Sequence, residues 1–419
     1  MKYNVIIDQK MKPLFMMLPL FLLACHPGRD PGISSEEESL KGTFKYDLEF
    51  LRKVDQPLVL GSKDGNAMVI VSPRFQGKVF TSTARGMNGM SFGWINYDLL
   101  EKGTMADHIN AHGGENRLWI GPEGGQFSVF FKPGVPMTFK NWYTPAPIDI
   151  EPWVLISSSK EEVGMKKEME LSNYSGTHFK LMVHRNVRIL ERGDIEKKLG
   201  IKMHREIDFV GFQTVNTLVN TGQVEWTRET GTISIWMLDM LVPGDEVTMV
   251  IPFIEGPESE LGPVATTNYF GEIPPERIRR TENTIFFKAD GKHRSKLGIG
   301  PKRAKPVSGS YDEKNGVLTI AHYSLPEGQE AYVNQLWELQ DDPFKGDVVN
   351  AYNDGPLEDG NQLGPFYEIE SSSPAAFLKP GEEMTHEHSV FHFLGDVEQL
   401  NGIALEVLGV GIEEIKAAF

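Results

Sequence analysis

The chain has 419 residues, a formal net charge of −16, 42 glycines, 26 prolines and a single cysteine. An acidic balance of this size repels nucleic acid, and no basic stripe with interleaved aromatics offsets it. The one cysteine, Cys25, lies in the leader, so disulfides, thiol nucleophiles and cysteine metal sites are excluded from the remainder, whose chemistry must rest on carboxylates, histidines or bound ions.

Residues 1–12 form a short basic leader, and Leu14 to Ala24 is an apolar run of about 11 residues, the length of a signal-peptide core and too short to span a bilayer. Leu22, Leu23, Ala24 and Cys25 read as a lipobox, the bacterial lipoprotein signal in which a small residue precedes the cysteine that takes the lipid. The expectation is a signal peptide over 1–25 and a flexible acidic tether over 26–43, rich in Pro, Gly, Ser and Glu. A single domain over 44–419 would then be lipid-anchored in the cell envelope, at the outer membrane on its periplasmic or surface side.

Beyond the tether, short β-rich runs bounded by turn residues recur and long helical periods do not, which predicts an all-β architecture of packed antiparallel sheets. The runs are 68–71, 78–82, 127–131, 166–171, 179–184, 212–216, 232–236, 248–252, 284–287, 317–321 and 331–335. Helix is expected only at 194–199, bracketed by Gly193 and Gly200, and in the last dozen residues. No fixed internal period points to a solenoid or propeller.

Within His112 to Phe127, Gly113 and Gly114 permit close approach of backbone to a ligand. Arg117 offers a planar fork of donors for hydroxyl pairs or a carboxylate, and Trp119 a flat face on which a sugar can stack. The alternative is a structural hairpin, with Arg117 paired to an acid such as Glu123 and Trp119 in the core. Lys288, Lys292, Arg294, Lys296, Lys302, Arg303 and Lys305 make a basic segment, read as a solvated hairpin and loop, with anionic-sugar binding as its alternative. Asp341 to Gly355 is an oxygen-rich loop without EF-hand spacing. A divalent ion over Asp347–Asp354, or a place on the rim of a sugar site, stands beside its reading as a plain turn.

In Phe366 to Thr385, strand alternation puts Glu368 and Glu370 on one face and Tyr367 and Ile369 on the other, the geometry of a strand lining a cleft. An edge strand with two solvated acids is the alternative. Two carboxylates on one face repel when both are ionised, which raises one pKa and suits proton transfer near neutrality. His386, His388 and His392 also share strand parity and could converge on a metal, or simply belong to a half-exposed strand that closes the core with Val390, Phe391 and Phe393. No cofactor is required by any of these patterns.

Glu368-x-Glu370, Pro374 and Leu378-x-Pro380-Gly381-Glu382 resemble the late catalytic strand of galactose mutarotase-like (aldose epimerase) proteins, in which a glutamate is the base. Gly65 to Phe80 is similar to that family's opening hairpin, and His112 to Phe127 to its Asn-Arg-Ile segment. The resemblance covers most of 45–395 and implies one large antiparallel β-sandwich, a supersandwich, with a carbohydrate ligand. It also implies Glu368 or Glu370 as base and Arg117 as a substrate contact; Asn116, Trp119, His322 and Asp354 are further candidates for substrate binding in this sequence. The family's histidine acid is missing from Glu229–Asp239, the strand after the Asn-rich Val215–Gly222, which leaves His112 or His322 as its replacement. Two functions follow from these expectations: an epimerase-like enzyme using carboxylate acid–base catalysis at a sugar ring, or a non-catalytic glycan-binding lipoprotein using the same cleft. A metal-dependent, cupin-like enzyme rests on the histidine strand alone.

Overall fold

Alternation of buried and exposed side chains along unusually long strands, as in His178–Ile189, builds the largest element of the computed structural model, which describes residues 40–357 and 360–419. This is a ten-stranded antiparallel sheet. In spatial order it runs Ile278–Arg280, Thr284–Lys288, Val247–Pro252, Val307–Asp312, Val317–Tyr323, Glu383–Leu394, Asp208–Asn220, His178–Ile189, Glu162–Ser172 and Val154–Ser158. A five-stranded antiparallel sheet runs Ser295–Ile299, Val349–Asn353, Tyr367–Ser372, Ser234–Leu241 and Arg117–Gly121. Leu58–Gly61, Met68–Ser72 and Lys78–Thr83 form a third, smaller sheet.

The two larger sheets share their cores, which makes the all-β sandwich expected from the sequence. One cluster joins Val183, Val187, Phe212 and Val390 of the large sheet to Leu118, Ile120, Ile235 and Met237 of the smaller one. A second joins Met249, Ile251, Phe287 and Ala321 to Leu297, Ala351, Tyr367 and Ile369. Each Val, Leu, Ile, Phe or Met side chain among them, fully buried, contributes roughly 1.5–3 kcal/mol. The outer face of the large sheet, with Phe391, Phe393 and Ile320, is covered by Arg192–Leu199 and by two C-terminal helices, Val397–Leu408 and Ile412–Lys416. Residues Leu40–Phe419 form one compact unit.

A chain of hydrogen bonds crosses the sandwich between the apolar clusters. Arg185 Nη2 donates to Asn116 Oδ1 (2.5 Å), and Asn116 Nδ2 to Asp239 Oδ1 (2.7 Å). Asp239 Oδ2 bonds His388 Nε2 (2.7 Å), and Ser371 Oγ bridges His388 Nδ1 (2.8 Å) and His386 Nε2 (2.9 Å). His392 bonds Glu115 Oε1 (3.0 Å) and Thr319 Oγ1 (2.8 Å). Every one of these groups is buried, and a buried polar group without a partner is costly, so this chain sets how the sheets register against one another.

Several expectations are revised. Phe127–Phe131 and Ala331–Gln335 are not strands; they are loop segments whose aromatic and apolar side chains are buried by packing rather than by sheet pairing. Asp341–Gly355 is not one loop, because Val349–Asn353 pairs with strands on both sides. Phe44–Val54 is a helix that sequence reading missed: Phe44, Leu48 and Leu51 lie at i, i+4 and i+7, Thr43 caps its start, and the buried face packs on Ile70 and Phe80. Tyr97–Lys102 is another. The signal peptide, Cys25 and the tether to residue 39 lie outside the described residues. Among those described, no helix is long and apolar enough to cross a membrane.

Replacing His388 with Phe keeps a planar ring, slightly larger, but strands Asp239 Oδ2 and one bond of Ser371. The expected loss is about 2–4 kcal/mol in a denaturant titration. Thr217→Ala, half-buried on the outer face of the same sheet, gives up only a solvent-exposed hydrogen bond to Thr385 Oγ1 (2.8 Å) and should cost less than about 1 kcal/mol.

Candidate functional site

The five-stranded sheet has two faces, and alternation divides them. Odd-numbered Tyr367, Ile369 and Ser371 turn inward to the sandwich, while Glu368 and Glu370 turn outward into a cavity. Glu368 sits opposite Tyr352 and Met240, and Glu370 opposite Asn350 and Leu238. Arg117 and Trp119 reach the cavity from one outer strand, Trp236 from its neighbour and Lys296 from the opposite outer strand. Loops supply Glu123, Phe139, Trp142, Phe270, Arg294, Trp337 and Leu363. The cleft they line is partly open to solvent, with about 60 Å³ of free volume.

Each carboxylate has its own cation. Arg117 Nη2 donates to Glu368 Oε1 in a buried ion pair. Glu370 Oε2 accepts from Lys296 Nζ (2.9 Å) and from Trp236 Nε1 (2.8 Å). The cations also lie over aromatic faces: the Arg117 guanidinium is 5.1 Å from the Trp119 ring, and the Lys296 ammonium 4.7 Å from Trp236. Burial pushes the Glu368 carboxyl up to about 7, opposed by Arg117 and reinforced by the neighbouring Glu370. Burial raises Glu123 as well. Glu370 Oε1, Arg117 Nε and Trp142 Nε1, on side chains that line the cavity, are buried without a hydrogen-bond partner among the described residues. Such orphaned donors and acceptors are the groups a polar ligand satisfies.

Of the residues singled out in the sequence, Glu368, Glu370, Arg117 and Trp119 come together in this cavity. Arg117 pairs with Glu368 rather than Glu123, and Glu123 is itself a cavity residue. Asn116 does not reach the cavity, because both ends of its amide are engaged in the interior chain with Arg185 and Asp239. His112 lies in a different pocket with Arg74 and Phe75, edge-on to the Phe75 ring at 5.0 Å. Burial, with Lys78 and Arg74 close by, pushes it down to about 3, which disfavours the imidazolium form that would act as the acid near neutrality. His322 belongs to the large sheet, away from the cavity, and burial lowers it to about 4. Asp354 stands one step behind the cavity, accepting from Tyr352 Oη (2.8 Å) and from the Gly364 amide (3.1 Å).

Gly113 and Gly114 have positive φ, but the close approach they allow is to protein. A Cβ at 113 would meet the Trp94 carbonyl at 2.2 Å. All six ring nitrogens of His386, His388 and His392 have protein partners, and no group of three or more His, Cys, Asp or Glu among the described residues could hold a metal ion. Asp347 is engaged by Tyr269 Oη (2.6 Å).

The largest correction concerns the basic segment. Lys296 and Arg303 are buried, at 4% and 1% exposure, and Lys296 and Arg294 face the cavity instead of solvent. Alternation from Arg294 to Ile299 carries the signal that was available: Ser295, Leu297 and Ile299 point inward, and the two cations share the other face. Trp236 and Tyr352 reach the cavity by the same parity.

A carboxyl whose pKa rises on folding binds its proton more tightly in the folded chain. Its contribution is therefore present below the unfolded value of 4.5 and is lost as pH rises towards about 7. In urea titrations across that window, the wild type should lose stability relative to Glu368→Gln, by at most about 1.4 kcal/mol per pH unit. Parallel curves for the two proteins would contradict the raised pKa.

Among curated proteins none matches the chain. Among solved structures it is similar to a candidate aldose 1-epimerase of Escherichia coli, at 12% identity and a TM-score of 0.48, over 80% of this chain and 98% of the other. It is also similar to a galactose mutarotase-like protein of Lactobacillus casei, at 9% identity and a TM-score of 0.43, over 80% of this chain and 100% of the other. These are likenesses of fold and transfer no residue role. Residues 42–419 match the family of unknown function DUF6786, and the chain belongs to that family.

Proposed function

We propose that the cavity binds a carbohydrate and that Glu368 accepts a proton there, in isomerase-like chemistry at the sugar ring. The observation that carries this reading is the pair of buried carboxylates on one strand face, walled by Trp119, Trp142 and Trp236, beside an unpartnered donor on Arg117 and acceptor on Glu370. Indole faces suit the apolar C–H face of a sugar, and the orphaned polar atoms suit its hydroxyls. A carboxyl near 7 exchanges protons readily at neutral pH. Arg117 orients Glu368, while Glu370, fixed by Lys296 and Trp236 through one oxygen, keeps Oε1 for a hydroxyl.

One observation favours a second reading, a glycan-binding protein without catalysis. Among the described residues no histidine lines the cavity, so the proton donor expected opposite the base has no histidine to supply it. A thermal-shift screen over monosaccharides and oligosaccharides identifies the ligand class, since binding raises stability by mass action. With that ligand, Glu368→Gln should lower turnover about 100-fold or more while affinity is largely kept. Loss of affinity in both Glu368→Gln and Glu370→Gln, with no turnover in the wild type, leaves the binding protein.

We also infer that the domain is carried on a lipid at Cys25 and held in the cell envelope, on the support of the lipobox and the apolar run before it. Cys25→Ser should move the protein from the detergent to the aqueous phase in a phase-partition assay. A wild type found in the aqueous phase would count against the anchor.

A further inference from the structure

Reading the cavity as a carbohydrate site leaves one cation unaccounted for. Arg117 and Lys296 are neutralised by Glu368 and Glu370, but Arg294 makes no ion pair among the described residues. It is nevertheless held in place. Its Nε donates to Tyr352 Oη (3.3 Å), and its guanidinium lies 3.9 Å from the centre of the Phe270 ring. Tyr352 in turn donates to the buried Asp354, so the hydroxyl that receives Arg294 is itself fixed. What remains on Arg294 is the Nη1 and Nη2 edge, a fork of donors without an acceptor among the described residues, on a side chain that lines the cavity.

A guanidinium braced on one edge and open on the other is suited to a planar oxyanion, which it binds through two parallel hydrogen bonds. We propose that the ligand is an acidic sugar, a hexuronate, with its carboxylate held by Arg294 and its ring against the Trp119 and Trp236 side of the cavity. This rests on the carbohydrate reading above and adds the class of sugar to it. A carboxylate brings one negative charge to meet Arg294, whose field otherwise reaches Glu123, a carboxyl that burial pushes towards its neutral form. A phosphate ester brings about −1.5 to −2, and its second charge would face Glu123, Glu368 and Glu370 with no cation left to offset it.

The test is calorimetric titration of the full chain with D-glucuronate and D-galacturonate against D-glucose and D-galactose, with glucose 6-sulfate and glucose 6-phosphate as further arms. A uronate should bind at least about tenfold tighter than its parent hexose, the scale of one charge-assisted hydrogen bond. Arg294→Gln should bring that ratio close to one, and Arg294→Lys, which keeps the charge but not the fork, should restore only part of it. Melting curves of both variants establish that they fold. Equal affinity for uronate and hexose in the wild type overturns the proposal, as does a preference that survives in Arg294→Gln. Tightest binding by the phosphate or sulfate ester overturns the carboxylate assignment. Binding of no sugar at all overturns the carbohydrate reading beneath it, a result distinct from tight binding of neutral sugars alone.

Discussion

Taking a carboxylate out of water costs several kcal/mol unless a counter-charge is buried with it. The central strand of the five-stranded sheet buries two, at alternate positions of one face. Their cationic partners do not come from the adjacent strands. Lys296 comes from one outermost strand and Arg117 from the other, so each long side chain reaches over an intervening strand to the centre. The requirement for neutralisation therefore ties together the order of all five strands. The cavity is the space left above these paired charges, closed by aromatic residues from the loops.

The opposite face of the same strand carries a different polar layer. Ser371 lies beside Glu370 in sequence but on the core side, where it joins His386 and His388 and, through His388, Asp239. The side chains whose spacing suggests metal binding thus act as cross-sheet fasteners, with protein groups at both ring nitrogens. Rigidity behind the cavity comes from this layer, because strand Tyr367–Ser372 is held from below by hydrogen bonds and from above by ion pairs.

Where a property is set by local alternation, the sequence reveals it. The shared face of Glu368 and Glu370, the inward turn of Tyr367 and Ile369, and the common parity of His386, His388 and His392 all follow from a two-residue period. Where it is set by a distant partner, the sequence is silent. Lys296 lies in a run that looks solvated, and only Glu370, 74 positions away, explains its burial. Asn116 next to Arg117 resembles a ligand contact until Asp239 and Arg185 are seen to occupy it. Phe127–Phe131 has strand-like composition, yet its aromatic side chains serve as loop packing around Trp142, Trp337 and Phe344. The helix Phe44–Val54 was legible in its i, i+4, i+7 apolar positions and Thr43 cap, but its short span after an acidic tether masks the period.

The depth of the two ion pairs has a consequence for how the cavity senses its surroundings. Exposed charge pairs weaken as ionic strength rises, but pairs shielded from mobile ions are screened far less. Arg117 with Glu368 and Lys296 with Glu370 have side-chain exposures of 7% or lower. A change in salt outside the protein therefore leaves the floor of the cavity nearly as it was, whereas a proton that reaches Glu368 alters its charge balance directly. The site is thereby nearly indifferent to ionic strength and responsive to acidity.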